Sequence, residues 1–126
     1  MSNMSKKEQL SLKGLSRNRL NNLLSELKRI IIGIYGESLK GIILYGSYSR
    51  LDFNPESDVD VMILASGSKS ELKSLFKKAV SATNDLDIKY GVFVSIIDSN
   101  IKDFNKYINY VPFYENVHKE GKRIYG

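Results

Sequence analysis

The stretch that decides the fold is Leu44–Ile63, LYGSYSRLDFNPESDVDVMI. One short apolar run, Gly41–Tyr45, ends at the pair Gly46-Ser47, and a second, Val59–Leu64, is led by aspartates. Runs this short and rich in Ile, Val and Leu predict buried strands. The polar residues at the two ends of the connection between them suggest two halves of one site.

The first half of the site is the turn after the first predicted strand. Gly46 lets the backbone approach a ligand closely, Ser47 can cap a helical turn, and Arg50 follows three residues later. Free N–H groups at a helix start, together with a hydroxyl and an arginine, favour phosphate binding. A Gly-Ser pair after a strand is also a common turn, so this half needs the second one. Tyr48 is expected at the rim of the pocket.

The second half is the pair Asp58 and Asp60 at the start of the second predicted strand. Residues at i and i+2 of a strand point to the same face, so the two carboxylates are neighbours. Their charges repel unless a cation lies between them, and ligands that are all oxygen suit Mg²⁺. The alternative is that both are solvated, with Asp58 capping the turn set by Pro55 and Ser57. Beside a phosphate-binding turn, a metal and triphosphate site explains the pair better.

Hydrophobic periodicity and turn residues predict the remaining elements. They are a helix from Leu20 to Ile34 with Ser16 as N-cap and Gly36 as its stop, a second helix after the Ser68/Glu71 capping box that ends near Asn84, a third strand Tyr90–Ile97, and two short helices around Phe104 and Val117. This order predicts an α/β (α+β) domain with a small mixed sheet flanked by helices.

Composition limits the chemistry that this domain can perform. The chain has 126 residues, no cysteine and one histidine, which excludes disulfides, thiolate nucleophiles and most zinc sites. Carboxylates must therefore carry any catalysis. We expect residues 1–14 to form a flexible basic N-terminus and residues 15–126 to form one domain. Because there is neither a signal peptide nor a long apolar run, we expect a cytoplasmic protein that does not span a membrane.

The net charge of +5 lies entirely near the N-terminus. Residues 1–40 hold eight basic and three acidic residues, whereas the rest of the chain holds eleven of each. A basic tail and first helix can bind an acidic partner, through Lys28 and Arg29, or a nucleic acid. Lysines on a solvated helix face are the alternative explanation.

The combination of GSYSR with SDVDVMI resembles the signature of the polymerase-beta-type nucleotidyltransferase superfamily. The length and single-domain layout resemble its minimal nucleotidyltransferases, many of which are antitoxins paired with an HEPN-type toxin. The resemblance implies a nucleotidyltransferase fold in which Gly46 and Ser47 contact the β- and γ-phosphates. It implies that Arg50 supports that turn or the phosphates, and that Asp58 and Asp60 are catalytic and bind Mg²⁺.

The same resemblance implies an activity. A nucleoside monophosphate, AMP when ATP is the donor, would pass to a hydroxyl acceptor such as a tyrosine of a partner toxin. Two residues depart from the family pattern: Leu51 stands where glycine is usual, and Ser95 stands where active relatives carry a third carboxylate on the later strand. Asp98 is three residues further on and faces the other way. The alternative is therefore a non-catalytic module that binds nucleotide or neutralises a partner by binding it.

Overall fold

The computed structural model of the protein describes residues 14–126. Residues 1–13, which form nearly all of the predicted flexible N-terminus, lie outside the described residues. The elements are α1 (Arg17–Tyr35), a 3₁₀ turn (Gly36–Ser38), β1 (Leu39–Tyr45), α2 (Ser47–Arg50), β2 (Val59–Ala65), α3 (Lys69–Tyr90), β3 (Val94–Asn100), α4 (Ile101–Tyr107), α5 (Pro112–Glu120) and β4 (Lys122–Tyr125).

The four strands form one mixed sheet in the order β3-β2-β1-β4. β1 is antiparallel to both β2 and β4, whereas β2 and β3 are parallel. Parallel neighbours need a crossover connection, and α3 supplies it. The predicted small mixed sheet flanked by helices is therefore confirmed.

The two faces of the sheet are covered by different helices, because alternate side chains of a strand point to opposite faces. Val59, Val61 and Ile63 are fully buried in one core with α1 and α3. Met62, on the opposite face of β2, is buried in a second core that includes residues of α4 and α5. Asp60 precedes Met62 by two residues and shares that second face.

The predicted helix caps are present. The Ser16 hydroxyl accepts a hydrogen bond from the Arg19 N–H at 3.2 Å, and the Ser68 hydroxyl accepts one from the Glu71 N–H at 3.2 Å. Gly36 ends α1 with φ 55°, a conformation that favours glycine. Despite the length of α1 and α3, no helix within residues 14–126 combines enough length and apolarity to cross a membrane.

The predicted end of the second helix and start of the third strand were wrong. α3 continues past Asn84 to Tyr90, because Leu86 and Tyr90 extend its buried face by one and a half turns. Gly91 then ends the helix in the left-handed conformation, with φ 64°. β3 consequently begins at Val94 rather than at Tyr90.

The last strand, β4, was not predicted from the sequence. It has four residues, of which two are exposed and two half-buried, and it pairs with β1 at the edge of the sheet. Four residues are too few for a periodic pattern to be read. β4 forms because the rest of the fold presents the free edge of β1 to it.

Tyr48 lies in the core, so its expected position at the rim of the pocket was wrong. Its side chain is only 1% exposed, and its ring stacks on Phe53 with the centroids 4.3 Å apart. Its hydroxyl accepts a hydrogen bond from the Leu15 N–H at 3.0 Å. Tyr48 therefore ties the turn that follows β1 to the chain segment that precedes α1.

Candidate active site

The turn after β1 is built on Gly46. Gly46 is the N-cap residue of the single helical turn α2, and its carbonyl accepts hydrogen bonds from the N–H groups of Ser49 and Arg50 at 3.1 Å each. Its φ of 76° is one that side-chain-bearing residues rarely adopt. Ser47 is the first helical residue rather than the cap. Within residues 14–126, its hydroxyl makes no hydrogen bond.

The Asp60 side chain lies directly against Gly46. Tyr45 and Asp60 are paired across β1 and β2, which brings Asp60 to the end of β1 where the turn begins. A Cβ atom built on Gly46 would overlap the Asp60 Oδ2 atom. Only glycine therefore fits at position 46 while Asp60 keeps this position. The phosphate half and the carboxylate half of the predicted site meet at this contact.

Asp58 and Asp60 are close enough to influence each other electrostatically. Asp58 is exposed immediately before β2, and Asp60 is half-buried. Burial, and then the charge of Asp58, raises the pKa of the Asp60 carboxyl, which Arg50 partly offsets. Two carboxylates that oppose each other's ionisation fit a divalent cation, since its charge removes the repulsion. The donor set available here therefore fits Mg²⁺.

Ser95 lies beside Asp60 in the parallel pairing of β2 with β3. This is the position at which the third carboxylate was expected. Asp98 pairs with Ile63 in an unbroken register, so it faces the α1 and α3 layer instead. Within residues 14–126, no three acidic or histidine side chains come together in a way that could hold a metal ion. The described site thus has two carboxylates and a serine.

Arg50 holds the turn to the end of α5. Its guanidinium group donates to Asp52 at 3.1 Å and to Glu120 at 3.3 Å, and both ion pairs are exposed. The neighbouring Ser49 hydroxyl is itself buried and donates to the Glu120 carbonyl at 2.5 Å. Of the two roles expected for Arg50, support of the turn is the one that these contacts match.

Tyr45 and Phe113 border the site on the same sheet face, and sequence reasoning missed both. Burial, and then the Asp60 charge, raises the pKa of the half-buried Tyr45 to about 12. The Phe113 ring, from the start of α5, meets the Tyr45 ring edge to face with the centroids 5.6 Å apart. Phe113 is 44% exposed. No local pattern signals this contact, because 68 residues of chain separate the two rings.

Comparison with protein families identifies the family of this chain. The model of the nucleotidyltransferase domain family matches residues 22–123, a range that includes the turn, both carboxylates and the strands β1, β2 and β3 in full. The chain belongs to the nucleotidyltransferase domain family. The resemblance seen in the Gly-Ser turn and the Asp-x-Asp pair is thereby confirmed.

Individual relatives extend the comparison. The protein MJ0604 of Methanocaldococcus jannaschii, provisionally named a protein adenylyltransferase, is 36% identical over 91 residues, which cover 72% of this chain and 83% of the relative. MJ0141 of the same organism carries the same provisional name and is 35% identical over 77 residues, 60% of this chain and 74% of the relative. A solved nucleotidyltransferase-like protein from Sulfolobus solfataricus is 15% identical with a TM-score of 0.56, covering 98% of this chain and 90% of that one, and so shares the fold.

Leu51 ends the turn in an unfavourable backbone conformation. It is the only non-glycine residue within residues 14–126 with a positive φ, at 65°, and its side chain is 61% exposed. Its N–H donates to the Ser47 carbonyl, which closes the turn. The turn thus keeps the conformation for which the usual glycine is suited, at a cost to leucine of about 1–2 kcal/mol.

We predict that Leu51→Gly is more stable than Leu51→Ala. Both variants remove the exposed side chain, but only glycine relieves the left-handed conformation. Glycine lowers the free energy of unfolding by about 0.5–1 kcal/mol because it has more conformational freedom in the unfolded chain. The expected net increase in the free energy of unfolding, relative to the alanine variant, is therefore about 0.5–1 kcal/mol. Urea denaturation of the two variants measures this difference. If the alanine variant is the more stable of the two, the turn does not have this conformation in solution.

Proposed function

We propose that this protein transfers AMP from ATP to a hydroxyl group of another protein, with Mg²⁺ bound at Asp58 and Asp60. The contact of Gly46 with Asp60 carries the proposal, because it joins a phosphate-binding turn to a carboxylate pair. The provisional naming of both M. jannaschii relatives as protein adenylyltransferases supports the choice of AMP and of a protein acceptor.

The residues divide the binding of the nucleotide between them. Gly46 and Ser47 contact the β- and γ-phosphates through backbone N–H groups and the Ser47 hydroxyl. Asp58 and Asp60 hold the metal, while Arg50 keeps the turn in place through Asp52 and Glu120. When bound, Mg²⁺ would neutralise phosphate charge and lower the pKa of the acceptor hydroxyl.

The order of the strands determines the side from which the acceptor approaches the nucleotide. The turn at Gly46, then Asp60, then Ser95 form a row across β1, β2 and β3. If the β- and γ-phosphates lie at the β1 end, in-line displacement brings the acceptor hydroxyl to the α-phosphorus from the β3 side. The acceptor oxygen bonds to phosphorus, the bond to pyrophosphate breaks, and the hydroxyl proton passes to solvent. A neutral serine does not take this proton, so Ser95 leaves the step without a protein base.

A second candidate function is that of a non-catalytic module, which binds nucleotide or a partner without transferring AMP. The serine beside Asp60 is the observation that favours it. If the module binds nucleotide, the turn and the carboxylates would still bind Mg²⁺ and ATP. Transfer of AMP, rather than nucleotide binding, therefore distinguishes the two functions.

The proposed partner is an HEPN-like protein, and a tyrosine of that toxin is the proposed acceptor. β3 is an edge strand of the sheet, so within residues 14–126 no further strand lies beyond it, and an acceptor protein can approach the site from that side. Arg29 is exposed on α1, whereas Lys28 is half-buried with its ammonium 5.9 Å from the centre of the Tyr125 ring. Arg29 is thus the better placed of the two to meet an acidic partner. Nucleic acid is the rival partner for this basic surface.

We predict that Mg²⁺ and ATP bind together and depend on both aspartates. In the double variant Asp58→Asn with Asp60→Asn, Mg²⁺-dependent affinity for ATP should fall about tenfold or more, since charge-assisted contacts are worth about 1.5–3 kcal/mol each. Titration calorimetry with and without Mg²⁺ measures this. Glu56→Gln, which changes an exposed carboxylate of the same loop, is the matched control and should bind as the original chain does. Unchanged Mg²⁺-dependent affinity for ATP in the double variant would contradict the assignment of the site to Asp58 and Asp60.

We predict that Ser95→Asp increases AMP transfer. An aspartate beside Asp60 adds the missing carboxylate, and a positioned base contributes about 10²–10⁴-fold, so an increase of about tenfold or more is expected. Ser95→Asn is the control, because it has the same size without the charge. The measurement is incorporation of labelled AMP into the partner protein. Equal activity of the two variants would show that absence of the third carboxylate does not limit transfer.

We predict a complex with the HEPN-like protein whose association weakens as salt concentration rises, because exposed charges are screened beyond about 10 Å at 0.1 M salt. Arg29→Glu should weaken association. Lys102→Glu, which reverses an exposed charge on the opposite side of the sheet, should not. Surface plasmon resonance across a salt series measures both. The partner assignment would be overturned if the chain did not bind the HEPN-like protein but bound RNA or DNA with an affinity that falls steeply with salt concentration.

A further inference from the structure

Two exposed aromatic rings stand on opposite sides of the carboxylate pair. Phe113 is 44% exposed and contacts Tyr45, the partner of Asp60 across the sheet. Phe93 is 57% exposed and comes two residues before Ser95, immediately before β3. Exposed aromatic rings beside a nucleotide site can stack on a base. The direction in which the nucleotide lies decides which ring does so.

The two rings lie at different points along the row of Gly46, Asp60 and Ser95: Phe113 is near β1 and Phe93 is near β3. Pyrophosphate and acceptor occupy opposite ends of this row during in-line displacement, at β1 and β3 respectively. The nucleoside is attached to the α-phosphorus through a different oxygen, so it must extend to the side of the row. Phe93 lies at the β3 end, where the acceptor arrives. Phe113 lies over the β1–β2 part of the row, on the sheet face that Asp60 shares with α5, because its ring contacts Tyr45, the partner of Asp60.

Phe113 is also held in place before any ligand binds. The Tyr45 ring packs against the Phe113 ring at an interplanar angle of 87°. Pro112 precedes it at the start of α5, and Tyr114 follows it with its ring packed on the fully buried Phe104 at 5.4 Å. A ring that is fixed in the free protein loses little conformational freedom when a ligand stacks on it. These contacts leave part of Phe113 open to solvent.

We propose that Phe113 is the stacking surface for the base of the nucleotide whose phosphates lie at Gly46 and Ser47. The proposal rests on the proposed function of that site and adds the position of the base. Stacking on a phenylalanine tolerates every base, because each has an aromatic face. Phe113 thus favours a nucleotide over bare triphosphate without choosing among bases.

Comparison of ATP with inorganic tripolyphosphate, both with Mg²⁺, tests this proposal. Phe113→Ala should weaken ATP binding by roughly 5- to 100-fold, the range that corresponds to loss of one base–aromatic stack, and should leave tripolyphosphate binding unchanged. Phe113→Tyr should restore ATP affinity. Phe93→Ala is the matched control and should bind both ligands as the original chain does.

A tryptophan reporter gives a second readout. The chain has no tryptophan, so Phe113→Trp and Phe93→Trp each introduce a single fluorophore. ATP should quench the tryptophan at position 113 and not the one at 93, and tripolyphosphate should quench neither. Three results would overturn the position of the base. They are unchanged ATP affinity in Phe113→Ala, an equal fall in the affinities for ATP and tripolyphosphate in that variant, or a fall in ATP affinity in Phe93→Ala instead. Failure of the original chain to bind either ligand would overturn the proposed function itself.

Discussion

The close approach of the Asp60 carboxylate to the Gly46 backbone is the constraint on which the site depends. While Asp60 keeps this position, residue 46 must lack a side chain, because Asp60 Oδ2 occupies the space that a Cβ would take. The same glycine bends the chain from β1 into α2, so a single residue both turns the chain and admits the carboxylate. The pairing of β1 with β2 fixes the other half of this contact. The site is thus a consequence of strand register.

The central half of the fold could be predicted from the sequence because it is locally encoded. The strands β1 and β2, the capped start of α3 and the Gly-Ser and Asp-x-Asp pairs each have a signal within a few residues. The predicted end of α3 was wrong because the helix continues through Leu86 and Tyr90, whose apolar character is equally compatible with the start of a strand. β4 exists only through its pairing with β1, and such long-range pairing leaves no trace in four residues.

The candidate site divides in the same way. Its charged and glycine residues are near one another in sequence, so their meeting could be predicted, and Ser95 was located by its place in a predicted strand. The aromatic border was missed because Phe113 reaches Tyr45 only through the packing of α5 on the sheet. Tyr48 was misjudged because its neighbour Ser47 is at the site, whereas its own ring turns inward to Phe53. In a tight turn, two consecutive residues can thus have different roles, one facing the candidate site and the next packing in the core.

Membership of the nucleotidyltransferase domain family and the two-carboxylate site together define the central claim, that a metal and a triphosphate meet between Gly46 and Asp60. A crystal structure with Mn²⁺ and a non-hydrolysable ATP analogue tests it most directly. We predict an anomalous peak between the Asp58 and Asp60 carboxylates, with the β- and γ-phosphates against Gly46 and Ser47. Metal and nucleotide found elsewhere, for example in the cavity of about 590 Å³ beside Lys69 and Asp103, would contradict it.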